Sequence, residues 1–183
     1  ERVMDRNWTP QGAAAWFARA ERVTADAHSL ILLAKTGGLE PLARVVTLFS
    51  PPAVAAELFQ PRLVGVEGTV IQQTMREGGL IALSGPPVDA LSLEEALLIC
   101  HQMAGTDAVL TEDGRLSRRL AAESVPHLNA LLVPALLVGR LSMEWSDAER
   151  LFGRLHLAGQ YTPWIVEEAR RELNASLHAP PSR

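Results

Sequence analysis

Lysine and cysteine are nearly missing from this chain: Lys35 and Cys100 are the only examples. A lone cysteine excludes an internal disulfide. Because Cys100 sits inside the apolar helical pattern "EEALLICHQMA", it reads as a buried thiol rather than a reactive one. The five histidines (His28, His101, His127, His156 and His178) are scattered without an H-x-x-H or H-x-x-x-H pairing, which argues against a zinc site of histidine and cysteine. No apolar run approaches the roughly 18 residues that span a bilayer, and the first residues lack the pattern of a secretory signal. The expectation is a soluble, cytoplasmic protein without a membrane partner. The dominance of arginine over lysine carries no functional weight by itself.

What is present is the composition of one globular domain: 183 residues, 48% hydrophobic and 21% charged. A net charge of −4 and a pI near 5.7 oppose a nonspecific nucleic-acid coat, since such binding runs on many cations. They do not oppose a nuclease, whose clustered acids lower the pI and whose bound divalent ion reverses the local sign.

Along the chain, Thr9 and Pro10 open an N-terminal helix in "TPQGAAAWFARAERV". "RVTADA" then reads as a strand ending at Asp26, "SLILLAKTGGL" as a helix closed by Gly37-Gly38, and "LEPLARVV" as a second short helix. "VTLFS" is a second strand, with Pro51-Pro52 opening the helix "AVAAELF". Residues 65–78 read as helix, "GLIAL" as a third strand, "SGPPVDA" as a loop, and "LEEALLICHQMA" as a helix opened by Ser92. "DAVLT" is a fourth strand and "GRLSRRLAAES" a helix. Two amphipathic helices follow in "SDAERLFGRLHLAGQ" and "TPWIVEEARRELNASL", with Ser146 and Thr162 as expected caps. The alternation implies an α/β domain with a mainly parallel sheet flanked by helices. We expect residues 1–22 to be an N-terminal helical extension, 23–177 the main domain and 178–183 a flexible tail.

In an open parallel sheet, ligands bind beyond the carboxyl ends of the strands, which draws attention to four acids. Asp26 ends the first strand and is equally readable as a helix N-cap. Asp113 follows the fourth strand and, before Gly114, is also a common turn residue. Glu57 alone would be a solvated helix acid. Glu95 completes an S-x-x-E capping box with Ser92, an account that needs no metal. Right-handed parallel topology would bring strand ends and helix starts to one edge, where converging carboxylates repel one another unless a cation compensates. Magnesium or manganese, with oxygen ligands and retained waters, suits such a site acting on a phosphodiester. Arg115, Arg118 and Arg119 follow on one helix; they read either as phosphate ligands or as a solvated face paired with acids.

With Asp26 in "ADAHSLI", Glu57 in "PPAVAAEL", Glu95 in "LSLEEA" and Asp113 in "VLTEDGRLSRRLA", the chain resembles the PIN domain, from about Val23 to Leu173. The late "AGQYTPWIVEEA" stretch belongs to the same likeness. The resemblance implies a PIN-like three-layer fold and a magnesium- or manganese-dependent ribonuclease, such as the toxin of a toxin–antitoxin pair. It implies Asp26, Glu57, Glu95 and Asp113 as the acidic quartet, with Asp26, Glu95 and Asp113 as metal ligands and Glu112 as an alternative to Asp113. Ser29, Thr111, Arg115, Arg118 and Arg119 are the expected substrate contacts. RNA, a small antitoxin protein and a second copy of the chain are the expected partners. The competing reading is a PIN-like scaffold without turnover that binds nucleic acid or protein. The tryptophans (Trp8, Trp16, Trp145 and Trp164) read as helix packing or partner contacts.

Overall fold

The computed structural model describes residues 19–58, 65–83 and 92–178, apart from the side chains of 55–57. The expected N-terminal helix, the "SGPPVDA" loop and most of the tail lie outside the described residues. The elements are β1 (Arg22–Ala25), α1 (Ala27–Thr36), α2 (Leu39–Val45), β2 (Thr47–Ser50), α3 (Pro52–Leu58), α4 (Val66–Arg76), β3 (Leu80–Ala82) and α5 (Leu93–Ala104). They continue with β4 (Ala108–Leu110), α6 (Gly114–Ala122), β5 (His127–Leu128), a 3-10 turn (Ala130–Leu132), α7 (Val133–Gly139), α8 (Trp145–Ala158) and α9 (Pro163–Ser176).

The strands form one parallel sheet in the order β3-β2-β1-β4-β5, with Val23 opposite both Leu48 and Ala108. This is an α/β domain of three layers, as the alternation of elements predicts. Strand β4, between β1 and β5, is buried along its whole length, which is why it reads as an unbroken apolar run rather than an alternating one. One face of the sheet is covered by α5, which packs on β1, β2 and β4 and closes a small core of Phe49, Cys100 and Ala104. Cys100 is buried, and that burial pushes its thiol pKa up. The other face carries α1, α2, α4 and the α7–α9 group, packed through Leu30, Leu33, Leu136 and Phe152, all fully buried.

The arginines staple this packing. The Arg22 guanidinium donates to Ala104 O at the end of α5 (Nε 3.0 Å, Nη2 2.6 Å), Arg154 Nε to Thr36 O at the end of α1 (2.7 Å), and Arg140 Nη2 to Val45 O at the end of α2 (2.9 Å). Each satisfies a carbonyl that the last helical turn leaves unpaired, and each sits at the negative end of a helix dipole.

One local expectation needs correction, and one stretch left unassigned by the sequence is resolved. The helix α8 begins after Glu144, not after Ser146: Asp147 N and Ala148 N both donate to Glu144 O (3.1 and 3.0 Å), so Trp145 and Ser146 already belong to the first turn. The stretch "VPHLNALLVPALLVG" holds β5 and α7, which its apolar composition did not separate; a two-residue strand is too short to show a period. Among the described residues no helix is long and apolar enough to cross a membrane.

The order of strands creates one special place. From β1 the chain winds outward through β2 and β3 on one side, then crosses back over the sheet through α5 to β4 and β5. The ends of β1 and β4 are therefore neighbours whose following helices leave on opposite faces. That is a topological switch point, where an open parallel sheet leaves a crevice at its carboxyl edge.

Candidate functional site

Asp26 stands in this crevice. Its backbone N–H extends the ladder to Leu110 O (3.0 Å), and the chain then turns into α1. The side chain caps that helix, Oδ1 accepting from Ser29 N at 2.7 Å. Oδ2 accepts from Thr111 Oγ1 at 2.5 Å and from Glu112 N at 3.1 Å, while Thr111 Oγ1 accepts from Asp113 N at 3.0 Å. Asp26, Ser29 and Thr111 are all buried. One carboxylate thus sews the tip of β1 to the tip of β4 with charge-assisted hydrogen bonds.

Beside it lies Glu112, whose Oε1 accepts from Ala130 N (2.6 Å) and Ser29 Oγ (3.3 Å) and whose Oε2 accepts from Tyr161 Oη (2.8 Å). Burial pushes the Glu112 pKa up; the Ala130 and Tyr161 donors pull it back, and the charge of nearby Asp26 raises it again. Tyr161 is itself raised by burial and by the Glu112 carboxylate, so its hydroxyl stays a donor across the physiological range. The tyrosine comes from the α8–α9 connection, and its ring lies over Gly159, where a Cβ would collide with it.

The other expected acids act as helix caps or have a side chain outside the described residues. Asp113 caps α6, with Oδ1 accepting from Arg115 N (2.7 Å) and Leu116 N (3.3 Å). Glu95 is exposed and completes the capping box, Oε2 accepting from Ser92 N at 3.0 Å and Ser92 Oγ accepting from Glu95 N at 3.2 Å. Glu57 falls on α3, and its side chain lies outside the described residues. Asp113 Oδ2 and Glu95 Oε1 accept no hydrogen bond among the described residues. Arg115 and Arg119 turn toward Glu94 at 3.8 and 3.9 Å, and Arg119 also pairs with Glu123. Exposed Arg118 has no ion pair among the described residues.

Glu112 also lines a cleft of about 710 Å³ that opens between α1, α6, β5 and the start of α9. His28, Arg118, Asn129, Tyr161 and Trp164 share its wall. Asn129 Oδ1 is buried there without a hydrogen-bond partner.

No family model matches this chain, and no curated protein does.

The structure thus brings Asp26, Ser29 and Thr111 together and adds Glu112, which the sequence offered only as an alternative register. Among the described residues no three His, Cys, Asp or Glu side chains meet as a ready-made metal centre. A hydrated magnesium ion needs less, since it commonly takes one or two carboxylates and completes its shell with water and substrate phosphate. The all-oxygen donor set fits that mode. Tyr161, Asn129, His28 and Trp164 were not legible as site residues: they stand on α1, after β5 and on either side of the start of α9, and no spacing rule joins them.

Proposed function

We propose that the chain is a PIN-like, magnesium- or manganese-dependent ribonuclease. The supporting observation is the acid-tipped switch point: buried Asp26 at the end of β1, tied through Thr111 to the end of β4, with Asp113 two residues further on. By the resemblance Asp26, Asp113 and Glu95 would hold the ion; among the described residues they do not meet as a set, so Asp113 and Glu95 would have to turn their oxygens that are free of hydrogen bonds toward Asp26 on binding. When bound, a divalent ion supplies positive charge that polarises a phosphodiester and stabilises its leaving oxygen. Thr111 and the Glu112 N–H hold the Asp26 carboxylate in a single orientation, and Ser29 and Tyr161 do the same for Glu112. Glu112, with its raised pKa, is suited to take up a proton at its carboxyl group. Arg118 would steady a substrate phosphate. A toxin of this type would pair with a small antitoxin, and two-fold dimerisation is the default association.

A second reading, a scaffold that binds without turnover, draws on one observation: Asp26, Glu95, Asp113 and Glu112 all already accept backbone N–H groups.

Asp113→Asn separates the two. Asparagine caps a helix about as well as aspartate, so stability in EDTA should change by no more than a few tenths of a kcal/mol. If Asp113 is a ligand, manganese affinity measured by calorimetry should fall at least about tenfold, roughly 1.4 kcal/mol, and cleavage of an RNA pool should stop. A wild-type protein whose melting ignores manganese and which leaves the pool intact is the scaffold.

A further inference from the structure

We propose that the cleft beside Glu112 is a subsite for one unpaired nucleobase of an RNA strand, with Asn129 reading the base edge and Arg118 holding its phosphate. The inference rests on the reading of RNA as the ligand and names which part of it binds where.

The volume, about 710 Å³, falls in the range of small-ligand pockets and leaves room for a nucleotide. Its wall is chemically uneven. At the end of β5, Asn129 presents a carbonyl oxygen that is buried and unpartnered, which is rare because an orphan acceptor loses its water and gains nothing in return. The oxygen is closed to solvent as the side chain stands, so a ligand N–H would relieve it once the amide rotates toward the cleft. The same amide carries Nδ2 as a donor, so the side chain offers a donor and an acceptor together, the pair that a base edge with an N–H next to a ring acceptor matches.

The next feature is aromatic. Trp164 lines the cleft while 46% exposed, an unusual degree of exposure for the largest apolar side chain. Tyr161 also lines the cleft, its ring pinned by the Glu112 hydrogen bond and by contact with Gly159. Aromatic faces that stay open to solvent beside polar groups suit stacking on a base. The third feature is charge. Arg115 and Arg119 are drawn to Glu94, whereas Arg118, on the cleft wall, has no ion pair among the described residues. A cation at the rim, an amide inside and an aromatic wall between them describe a nucleoside phosphate. A purely apolar ligand would leave the Asn129 oxygen unsatisfied, and a metal ion would find one carboxylate there already holding three donors.

The test is binding in EDTA, where no hydrolysis occurs, measured by calorimetry for the four nucleoside 5′-monophosphates, ribose 5-phosphate and a short single-stranded RNA. At least one mononucleotide should bind about tenfold or more tighter than ribose 5-phosphate, because the base supplies the stacking. The RNA should bind at least about tenfold tighter than that mononucleotide, since neighbouring phosphates add charge contacts. Trp164→Ala, a half-exposed position that the fold tolerates, should remove most of the base-dependent gain. Asn129→Ala should do the same, while Arg118→Ala should weaken ribose 5-phosphate and mononucleotides alike. Equal binding of ribose 5-phosphate and all four mononucleotides would overturn the subsite. Unchanged base dependence in Trp164→Ala would also overturn it. RNA binding no tighter than the mononucleotide would overturn the assignment to a strand in favour of a free nucleotide. Base-dependent binding without manganese-dependent cleavage of the same RNA rejects hydrolysis and keeps the subsite. Cleavage without base-dependent binding rejects the subsite alone.

Discussion

Replacing Glu172 with glutamine should make this protein more stable at alkaline pH, by an amount the structure bounds. Glu172 lies on the inner side of α9, 5% exposed, between buried Ala169 and Leu173, and its Oε2 has no hydrogen-bond partner. Burial, and then the charge of Glu168, push its pKa up to about 7, against a slight pull from Arg171. The native state therefore holds a proton that the unfolded chain releases near the ordinary glutamate value of about 4.3. A raised acid contributes full stability below the unfolded pKa and loses that contribution as pH rises through the folded one. Between about pH 4.5 and 7 the wild type should thus lose stability from this one group. Two to three pKa units correspond to roughly 3–4 kcal/mol as an upper bound, and local relaxation around α9 reduces the expectation to about 1–3 kcal/mol. Glu172→Gln keeps the shape and cannot ionise, so at pH 8 it should melt higher by about 2–4 °C per kcal/mol, while at pH 4.5 the two proteins should melt alike. Thermal melts from pH 4 to 8 in EDTA measure this. Parallel pH profiles for the two proteins, or a variant destabilised at every pH, would show that Glu172 is not a buried acid short of partners.

Two further substitutions probe the site. Tyr161→Phe removes the hydroxyl that donates to Glu112 Oε2 at 2.8 Å. With a charged acceptor left short of a donor, it should cost about 1.5–3 kcal/mol in urea unfolding at pH 8; a cost below about 0.5 kcal/mol would mean that water replaces the hydroxyl. Glu95→Gln preserves the capping box, since glutamine also reaches back to the Ser92 N–H. Its stability should match wild type within a few tenths of a kcal/mol, so any fall in manganese affinity by calorimetry reports the lost charge and identifies Glu95 as a ligand, whereas unchanged affinity leaves it a cap.

Much of this architecture is written locally. Strands β1 to β4 and the helices between them are legible because each is short, bounded by a cap or a breaker, and carries its own period: Asp26 before α1, Ser92 before α5, Asp113 before α6, and Gly37 at the end of α1, where φ of 83° suits only a residue without a Cβ. The capping box at Ser92 and Glu95 needs four residues of sequence and nothing else. Strand order needs contacts across the whole chain. Only the crossover through α5 puts Thr111 and Glu112 against Asp26, 85 and 86 residues away. The choice between Glu112 and Asp113 turns on a single residue of register, since neighbours at the end of a strand point to opposite sides. Glu112 lines the cleft and Asp113 caps its own helix; which of the two would hold an ion is what Asp113→Asn tests. Tyr161, Asn129 and Arg118 share that cleft because β5 and the α8–α9 connection fold back over the carboxyl edge of the sheet. No local propensity encodes that return; it follows from the need of α7, α8 and α9 to bury Leu136, Phe152 and Leu173 against α1 and one another.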